Sequence, residues 1–383
     1  MENRDIRRDK IRGCLLGGAA GDALGYPVEF LDEREIFSRY GDEGIYEYKL
    51  DGRSRKALVS DDTQMTLFTA DGILTGDTRD HRRGVRTRPR TYVAMAYRDW
   101  LRTQQVSYEE GQKAAWGYTK ECISWLCGVP ELYSQRVPGL TCLSAMDERG
   151  KDGSYVEDYI RSPLNDSKGS GGIMRTAPLA LAYNTDIKEL DMEAAQIAAI
   201  THSHSLGYMP AAVVTHIINR IVFPDRPRTL KEIVLEARDT AAEIFHGDGN
   251  LKALTDIIDL AVKLSENRRQ DLNNIRDIGR GWVGEETLGI ALYCALRYQN
   301  NFSGGIITAV NHRGDSDTTG AVAGNILGAL AGYEAIDEKW KRDLELKEVI
   351  LEIADDLSQG CGTGGDSHYE DPRWAEKYVV DGL

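Results

Sequence analysis

Apolar residues recur at helical spacing along most of the chain. Leu230, Ile233, Val234, Ala237, Ala241 and Ile244 share one face of a 3.6-residue repeat. They follow Thr229-Leu-Lys-Glu232, the pattern of a reciprocally capped helix start. Leu251, Leu254, Ile257, Ile258, Ala261 and Leu264 repeat in the same way, as do Leu288, Ala291, Ala295 and Leu296, and later Leu344, Ile350, Ile353 and Leu357. The run from Gly17 to Gly25 reads as a helix with a small-residue face, suited to close helix packing. Strict alternation is scarce, and Gly44 to Leu50 is the best candidate for a short strand. These patterns predict an all-α, multi-helix single domain over residues 1–383 with long loops. A loop insertion is expected near 75–90, because Thr75 to Pro89 carries two glycines, a proline and Arg79, Arg82, Arg83, Arg86 and Arg88. That segment reads either as a flexible insertion or as a basic rim that attracts an anionic substrate. The glycine- and aspartate-rich stretch Gln359 to Asp371 is expected to be a loop in the tail.

Charge narrows the function classes. With 47 lysines and arginines against 61 aspartates and glutamates, the formal net charge of the 383 residues is −14. That balance argues against broad binding of nucleic-acid backbones, which need a basic face. No stretch of about 18 apolar residues occurs, so a membrane-spanning helix is not expected. The charged opening, Met1 to Arg12, has no secretory pattern, and a cytoplasmic protein is expected. Cys14, Cys122, Cys127, Cys142, Cys294 and Cys361 form no CxxC pair and read as reduced thiols, mostly in the core.

Two acidic clusters carry the chemistry. Ser60-Asp61-Asp62-Thr63 precedes an amphipathic run, and Gly314-Asp315-Ser316-Asp317-Thr318-Thr319-Gly320 precedes a small-residue one. Each alone reads as a helix N-cap, since hydroxyls and carboxylates favour the positive helix end. Together they offer an all-oxygen ligand set, which suits hard cations such as magnesium or manganese. An EF-hand is excluded, because Asp315-x-Asp317 lacks the closing glutamate, and no His/Cys set has the usual zinc spacing. Lys168-Gly-Ser-Gly-Gly-Ile-Met-Arg175 can present backbone N–H groups to a phosphate, yet it fits neither a P-loop nor a dinucleotide fingerprint. His202, in Thr201-His-Ser-His-Ser205, reads equally as a helix-end cap or as a site-lining group. Glu29, past the first glycine-rich helix, carries no signal by itself.

Six segments stand in the order of a known family: GDALG (21–25), SDDTQ (60–64), GSGGIMR (169–175), THSHSLGY (201–208), GWVGEETLGIALY (281–293) and NHRGDSDTTGAVAGNILGA (311–329). By these the chain resembles the ADP-ribosylglycohydrolases, which include the dinitrogenase-reductase-activating glycohydrolase and animal ADP-ribosylhydrolases. The resemblance spans about Ile11 to beyond Leu330. It implies an all-α fold with two divalent cations, Mg²⁺ or Mn²⁺, held by Ser60, Asp61, Asp62, Asp315, Asp317 and Thr318. Threonine is frequent in the family where this chain has Ser60. The glycine segment Gly169, Ser170, Gly171 and Gly172 would hold the diphosphate or distal ribose, and His202 would face the ribose side. Glu29, Asp62 and Asp315 are the implied catalytic carboxylates, with Glu29 on the least uniform of these loops.

The implied activity is hydrolytic release of ADP-ribose from a modified protein, with arginine as the first expected linkage and a monomer as the expected state. Serine-linked or O-acyl ADP-ribose and ADP-ribosylated nucleic acid are alternatives. A protein of another class is a further alternative: a non-catalytic ADP-ribose binder, or an immunity factor that blocks an ADP-ribosylating toxin. Occupation of all six ligand positions by oxygen donors favours the enzyme.

Overall fold

A computed structural model describes residues 3–115, 122–152, 156–361 and 370–380. Among them the fold is all-α. The helices are α1 (Asn3–Gly25), α2 (Glu33–Tyr40), α3 (Asp61–Arg83), α4 (Pro89–Gln105), α5 (Tyr108–Ala115), α6 (Leu140–Asp152), α7 (Ala177–Ala182), α8 (Ile187–Ala199) and α9 (Ser205–Val222). They continue with α10 (Leu230–Ile244), α11 (Leu251–Ser265), α12 (Asp271–Ile278), α13 (Gly284–Arg297), α14 (Phe302–Val310), α15 (Ser316–Ala331), α16 (Glu338–Lys341), α17 (Lys347–Gln359) and α18 (Pro372–Tyr378). Helix α10 starts with the reciprocal Thr229–Glu232 cap that its sequence announces. No described helix is long and apolar enough to cross a membrane.

At the centre, α1 and α15 run antiparallel with their backbones in contact. Gly13, Gly17 and Gly21 recur every fourth residue on one face of α1; Gly320, Gly324 and Gly328 do so on α15. A Cβ built on Gly21 would lie 1.9 Å from the Gly320 carbonyl oxygen, and one on Gly17 would lie 2.5 Å from the Gly324 oxygen. The stripe ends where Gly25 meets Ser316, with a Cβ at 2.3 Å from the Ser316 oxygen. Here the small residues are the packing surface itself. They set the last turn of α1 beside the first turn of α15.

Three sequence expectations change. The expected loop insertion near 75–90 is mostly helix, because α3 runs through Thr75 to Arg83. Thr75 and Thr78 are buried, and Gly76 lies against the Tyr92 ring, where a Cβ would be 2.4 Å from Cδ2. The glycine marks close approach of α4 rather than a turn. Only 84–88 is left as a connection: Gly84 closes α3 at φ +64°, and Pro89 opens α4. The expected strand at Gly44 to Leu50 is absent among the described residues. Its one ladder contact is an isolated bridge from Leu50 to Ala57, since the Ile45 backbone is held by the Asn311 side chain instead (2.8 Å in each direction). Leu344 packs ahead of α17, not within it. In the tail, Gln359 ends α17, while most of the expected glycine-rich loop, 362–369, lies outside the described residues.

Because backbone occupies the space a methyl would need, Gly21→Ala should cost at least about 1–3 kcal/mol, the range for overpacked cores. Urea unfolding would show this as a lower midpoint; an unchanged midpoint would sink the account of the α1–α15 contact.

Candidate active site

The glycine stripe delivers three chain segments to one place: the end of α1, the start of α15 and, through Asp22, the start of α3. Asp22 is fully buried. It accepts hydrogen bonds from the Ser60 backbone N–H (2.9 Å), from the Thr63 N–H (3.1 Å) and from Thr63 Oγ1 (2.5 Å). A carboxylate from α1 therefore caps α3 from outside and fixes the early acidic cluster. Ser60 is the residue at the cap position, with its Oγ accepting from Asp62 N–H at 3.2 Å. That leaves Asp61 and Asp62 free of capping duty. Asp61 Oδ2 accepts from the Gly139 N–H at 3.2 Å, and Asp62 Oδ2 is buried without a partner.

The late cluster meets the early one. Asp315 sits at the start of α15 with no capping bond from its side chain. Its Oδ2 accepts from Ser170 Oγ at 2.5 Å, while its N–H donates to the Arg280 carbonyl at 2.9 Å. Gly314 permits that contact: its φ is +140°, and a Cβ there would be 1.9 Å from the Arg280 oxygen. Carboxylate oxygens of Glu29, Asp315 and Asp317 all lie within 4.8 Å of one another. Glu29 Oε2 is also buried without a partner. Thr318 Oγ1 is close enough to favour the ionised form of Asp62, and so joins the two clusters.

Burial and mutual repulsion raise every carboxyl here. Burial pushes Asp22 up to about 6 and Asp61 up to about 7, the latter helped by the Asp22 and Asp315 charges. Glu29 rises to about 9 through burial, then through Asp315, Asp61 and Asp22. Asp62 and Asp317 are driven well above the carboxylate range by the same causes. Two helix N-termini favour negative charge at this spot, but only by a fraction of a kcal/mol to about 2 kcal/mol each. A site that desolvates so many acids is suited to cations.

The glycine segment closes one side. Gly169 pairs with Val283, and the Gly284 N–H donates to the Lys168 carbonyl at 2.8 Å. Gly171 has no room for a side chain, since a Cβ would lie 2.8 Å from His202 Cε1 and 3.0 Å from Cys142 Sγ. His202 is buried, and its Nδ1 lies 2.8 Å from Thr201 Oγ1. That hydroxyl also accepts from Arg175 Nη2 at 2.6 Å, so Arg175, Thr201 and the His202 ring form one hydrogen-bonded chain. Burial and then the Arg175 charge lower the ring's pKa to about 3, which keeps it neutral. Beside the cluster, a cavity of about 540 Å³ is lined by Gln104, Gln135, Leu140, Thr141 and Asn165, among others. At the edge, exposed Phe30 and Trp282 stack with ring centroids 5.9 Å apart.

The arginines of the alternative basic-rim reading lie away from the acidic cluster. Arg82 to Arg88 lie at the opposite end of α3, about 33 Å from Asp61 by the helical rise. Asp80 holds this connection by accepting from Thr87 Oγ1 at 2.9 Å, so its arginines do not border the acidic cluster.

A family profile described as ADP-ribosylglycohydrolase matches residues 3–366. The chain belongs to the ADP-ribosylglycohydrolase family. It is 26% identical over 370 residues to human ADP-ribosylhydrolase ARH3, covering 88% of this chain and 89% of that protein. It is 24% identical over 362 residues to the ADP-ribosylarginine hydrolase Tri1 of Pseudomonas putida, covering 91% and 78%. A solved structure titled ADP-ribosylglycohydrolase-related protein complex superposes with a TM-score of 0.62 and 26% identity, covering 92% of this chain and 98% of that one. The all-α architecture is thus that of an ADP-ribosylglycohydrolase, and the family is one of hydrolases acting on ADP-ribosyl groups. Two residues of this family member's site escape sequence reading. Asp22 hides in a run that already makes sense as small-residue packing, and Gly139 acts only through its backbone.

The carboxyl shifts predict a pH dependence when divalent cations are chelated. Each folded-state pKa lies above its unfolded value of about 3.9 to 4.3, so the folded form binds more protons. The stabilisation is present in acid and lost as pH rises through about 6, 7 and 9, where Asp22, Asp61 and Glu29 ionise. Thermal midpoints in EDTA should therefore fall from pH 5 to pH 8, and added Mg²⁺ or Mn²⁺ should restore most at pH 8. A midpoint indifferent to pH and cation would contradict the convergence of these acids.

Proposed function

We propose that this chain is a metal-dependent hydrolase that removes ADP-ribose from protein side chains, with arginine as the linkage. The observation that carries this reading is the meeting of Glu29, Asp62, Asp315 and Asp317 in one buried cluster with two orphaned carboxylate oxygens, Glu29 Oε2 and Asp62 Oδ2. Ser60, Asp61, Asp62, Asp315, Asp317 and Thr318 would hold two Mg²⁺ or Mn²⁺ ions. Their donors are all oxygen, which suits those cations rather than softer ones. When bound, such ions supply orientation of ribose hydroxyls and a more acidic water.

The protein's own groups do the remaining work. Glu29, Asp62 and Asp315 border the place where the anomeric carbon of the distal ribose would lie. In hydrolysis the bond from that carbon to the arginine nitrogen breaks, water supplies a hydroxyl to the carbon, and the second water proton ends on the leaving guanidine. A carboxylate beside the reacting carbon takes the proton from water and stabilises the developing oxocarbenium charge, a role worth about 10²–10⁴-fold. Ser170 holds Asp315 by its hydroxyl and so ties the glycine segment to that carboxylate. Gly169, Gly171 and Gly172 admit the substrate's diphosphate or ribose close to the backbone. His202, kept neutral, supports the segment and is not the proton carrier. The cavity lined by Thr141 and Asn165 accommodates the adenosine end, and the exposed Phe30–Trp282 pair meets the modified side chain. Arginine is favoured because Tri1, a relative over nine-tenths of the chain, is named for that linkage.

The test is release of ADP-ribose from arginine- and serine-modified peptides with Mg²⁺, Mn²⁺ or EDTA. Release from the arginine peptide should need the cation and fall at least about 100-fold in Asp315→Ala. Equal release in EDTA would defeat the metal-dependent mechanism, and faster release from the serine peptide would overturn the linkage.

A further inference from the structure

We propose that the chain carries a second metal site, distinct from the acidic cluster, in which Asp99, Cys122 and Cys127 bind one zinc ion. Asp99 comes from α4, Cys122 opens the segment that follows, and Cys127 lies in the 3-10 turn Trp125–Gly128. One ligand atom from each lies within 4.8 Å of the other two. In a tetrahedral zinc site with Zn–S of about 2.3 Å, neighbouring donors are about 3.8 Å apart, so only small shifts close the site. Asp99 and Cys127 are 95% buried, and the nearby Lys377 ammonium, over the Trp125 ring, is already bonded to Glu352 and Asp356. The carboxylate is already aimed: Asp99 Oδ2 accepts from the N–H groups of Ile123 at 2.8 Å and Ser124 at 2.9 Å, within the turn that carries both thiols. Such backbone bonds orient a metal-binding carboxylate.

Asp71 on α3 is the second, independent observation. It is fully buried, and neither carboxylate oxygen has a hydrogen bond of normal geometry. Its charge acts on both Asp99 and Cys127, so it faces the same cluster. Burial chiefly pushes Asp71 up to about 7; the Lys377 charge opposes this but is shared with Asp356, so two desolvated carboxylates beside two thiols are left with little compensating positive charge. Asp71 lies outside that three-residue group and would complete four-coordination only by a side-chain shift toward the ion. Thiolate donors select zinc, whereas the all-oxygen cluster selects magnesium or manganese, so ligand softness keeps the two sites apart. Binding converts both thiols to thiolates and releases their protons to solvent. The site is structural: it pins the turn that leads, through Gln135 on the Gln104 carbonyl (2.8 Å) and Arg136 on Glu345 (3.0 Å), to the Gly139 N–H on Asp61.

The test is metal analysis of the full chain, loaded with zinc and dialysed exhaustively. About one zinc per chain should remain in the native protein and in Asp315→Ala, and should be lost in the Cys122→Ser/Cys127→Ser variant. Cobalt in place of zinc should give a thiolate-to-metal charge-transfer band in all but the cysteine variant. Asp71→Asn, which keeps both thiols, should weaken zinc about 10–100-fold. Trace zinc with no charge-transfer band would overturn the proposal. So would zinc retained undiminished by the cysteine variant, or a Cys122–Cys127 disulfide in protein isolated without reductant.

Discussion

The backbone contact between α1 and α15 is the constraint from which the site follows. Two helices whose facing residues lack side chains approach until carbonyl and Cα touch, and the glycine repeats of the two pair in one antiparallel register, Gly13 with Gly328, Gly17 with Gly324 and Gly21 with Gly320. In that register Gly25 meets Ser316, so the end of one helix and the start of the other are placed together. Asp22 then reaches across to the first turn of α3. No catalytic side chain makes this contact, yet the position of every acidic group is measured from it.

The electrostatics oppose the arrangement that the packing imposes. Asp61, Asp62, Asp315, Asp317 and Glu29 are brought into low dielectric with like charges for neighbours, and burial is the largest cause of each shift. Helix N-termini and the Ser170 hydroxyl offset part of this and cannot offset all of it. The packed glycine core supplies the rest, by making separation of the helices costlier than crowding of the acids. Stability is spent at the site to hold a geometry that hydrophobic burial elsewhere maintains.

The sequence made the helical class and the two acidic starts legible, because both depend on short-range patterns: the 3.6-residue repeat around Thr229–Ile244 and the hydroxyl–carboxylate runs at Ser60 and Asp315. It misled at Thr75–Pro89. Arginine, glycine and proline there look like a loop, but Gly76 serves contact with Tyr92, which is visible only in three dimensions, and only Gly84 marks a chain turn. It was silent on Asp22 and Gly139, since one is a cap supplied from 38 residues away and the other acts through backbone alone. Residue patterns alone gave Glu29 no role; the family resemblance implied one, and its carboxylate lies within 4.8 Å of those of Asp315 and Asp317.

Arg175 has a consequence for how the molecule responds to its surroundings. Its guanidinium, fully buried against the Tyr97 ring at 4.6 Å, grips Thr201 and the carbonyls of Ile197 and Ala198, and so anchors the wall against which the glycine segment rests. Guanidinium does not titrate in any physiological range. The wall behind the glycine segment is therefore held by a charge that acidity does not change, while the carboxyl cluster beside it gains and loses protons. Acidity would thus reach the glycine segment through the Ser170–Asp315 bond rather than through the guanidinium behind it.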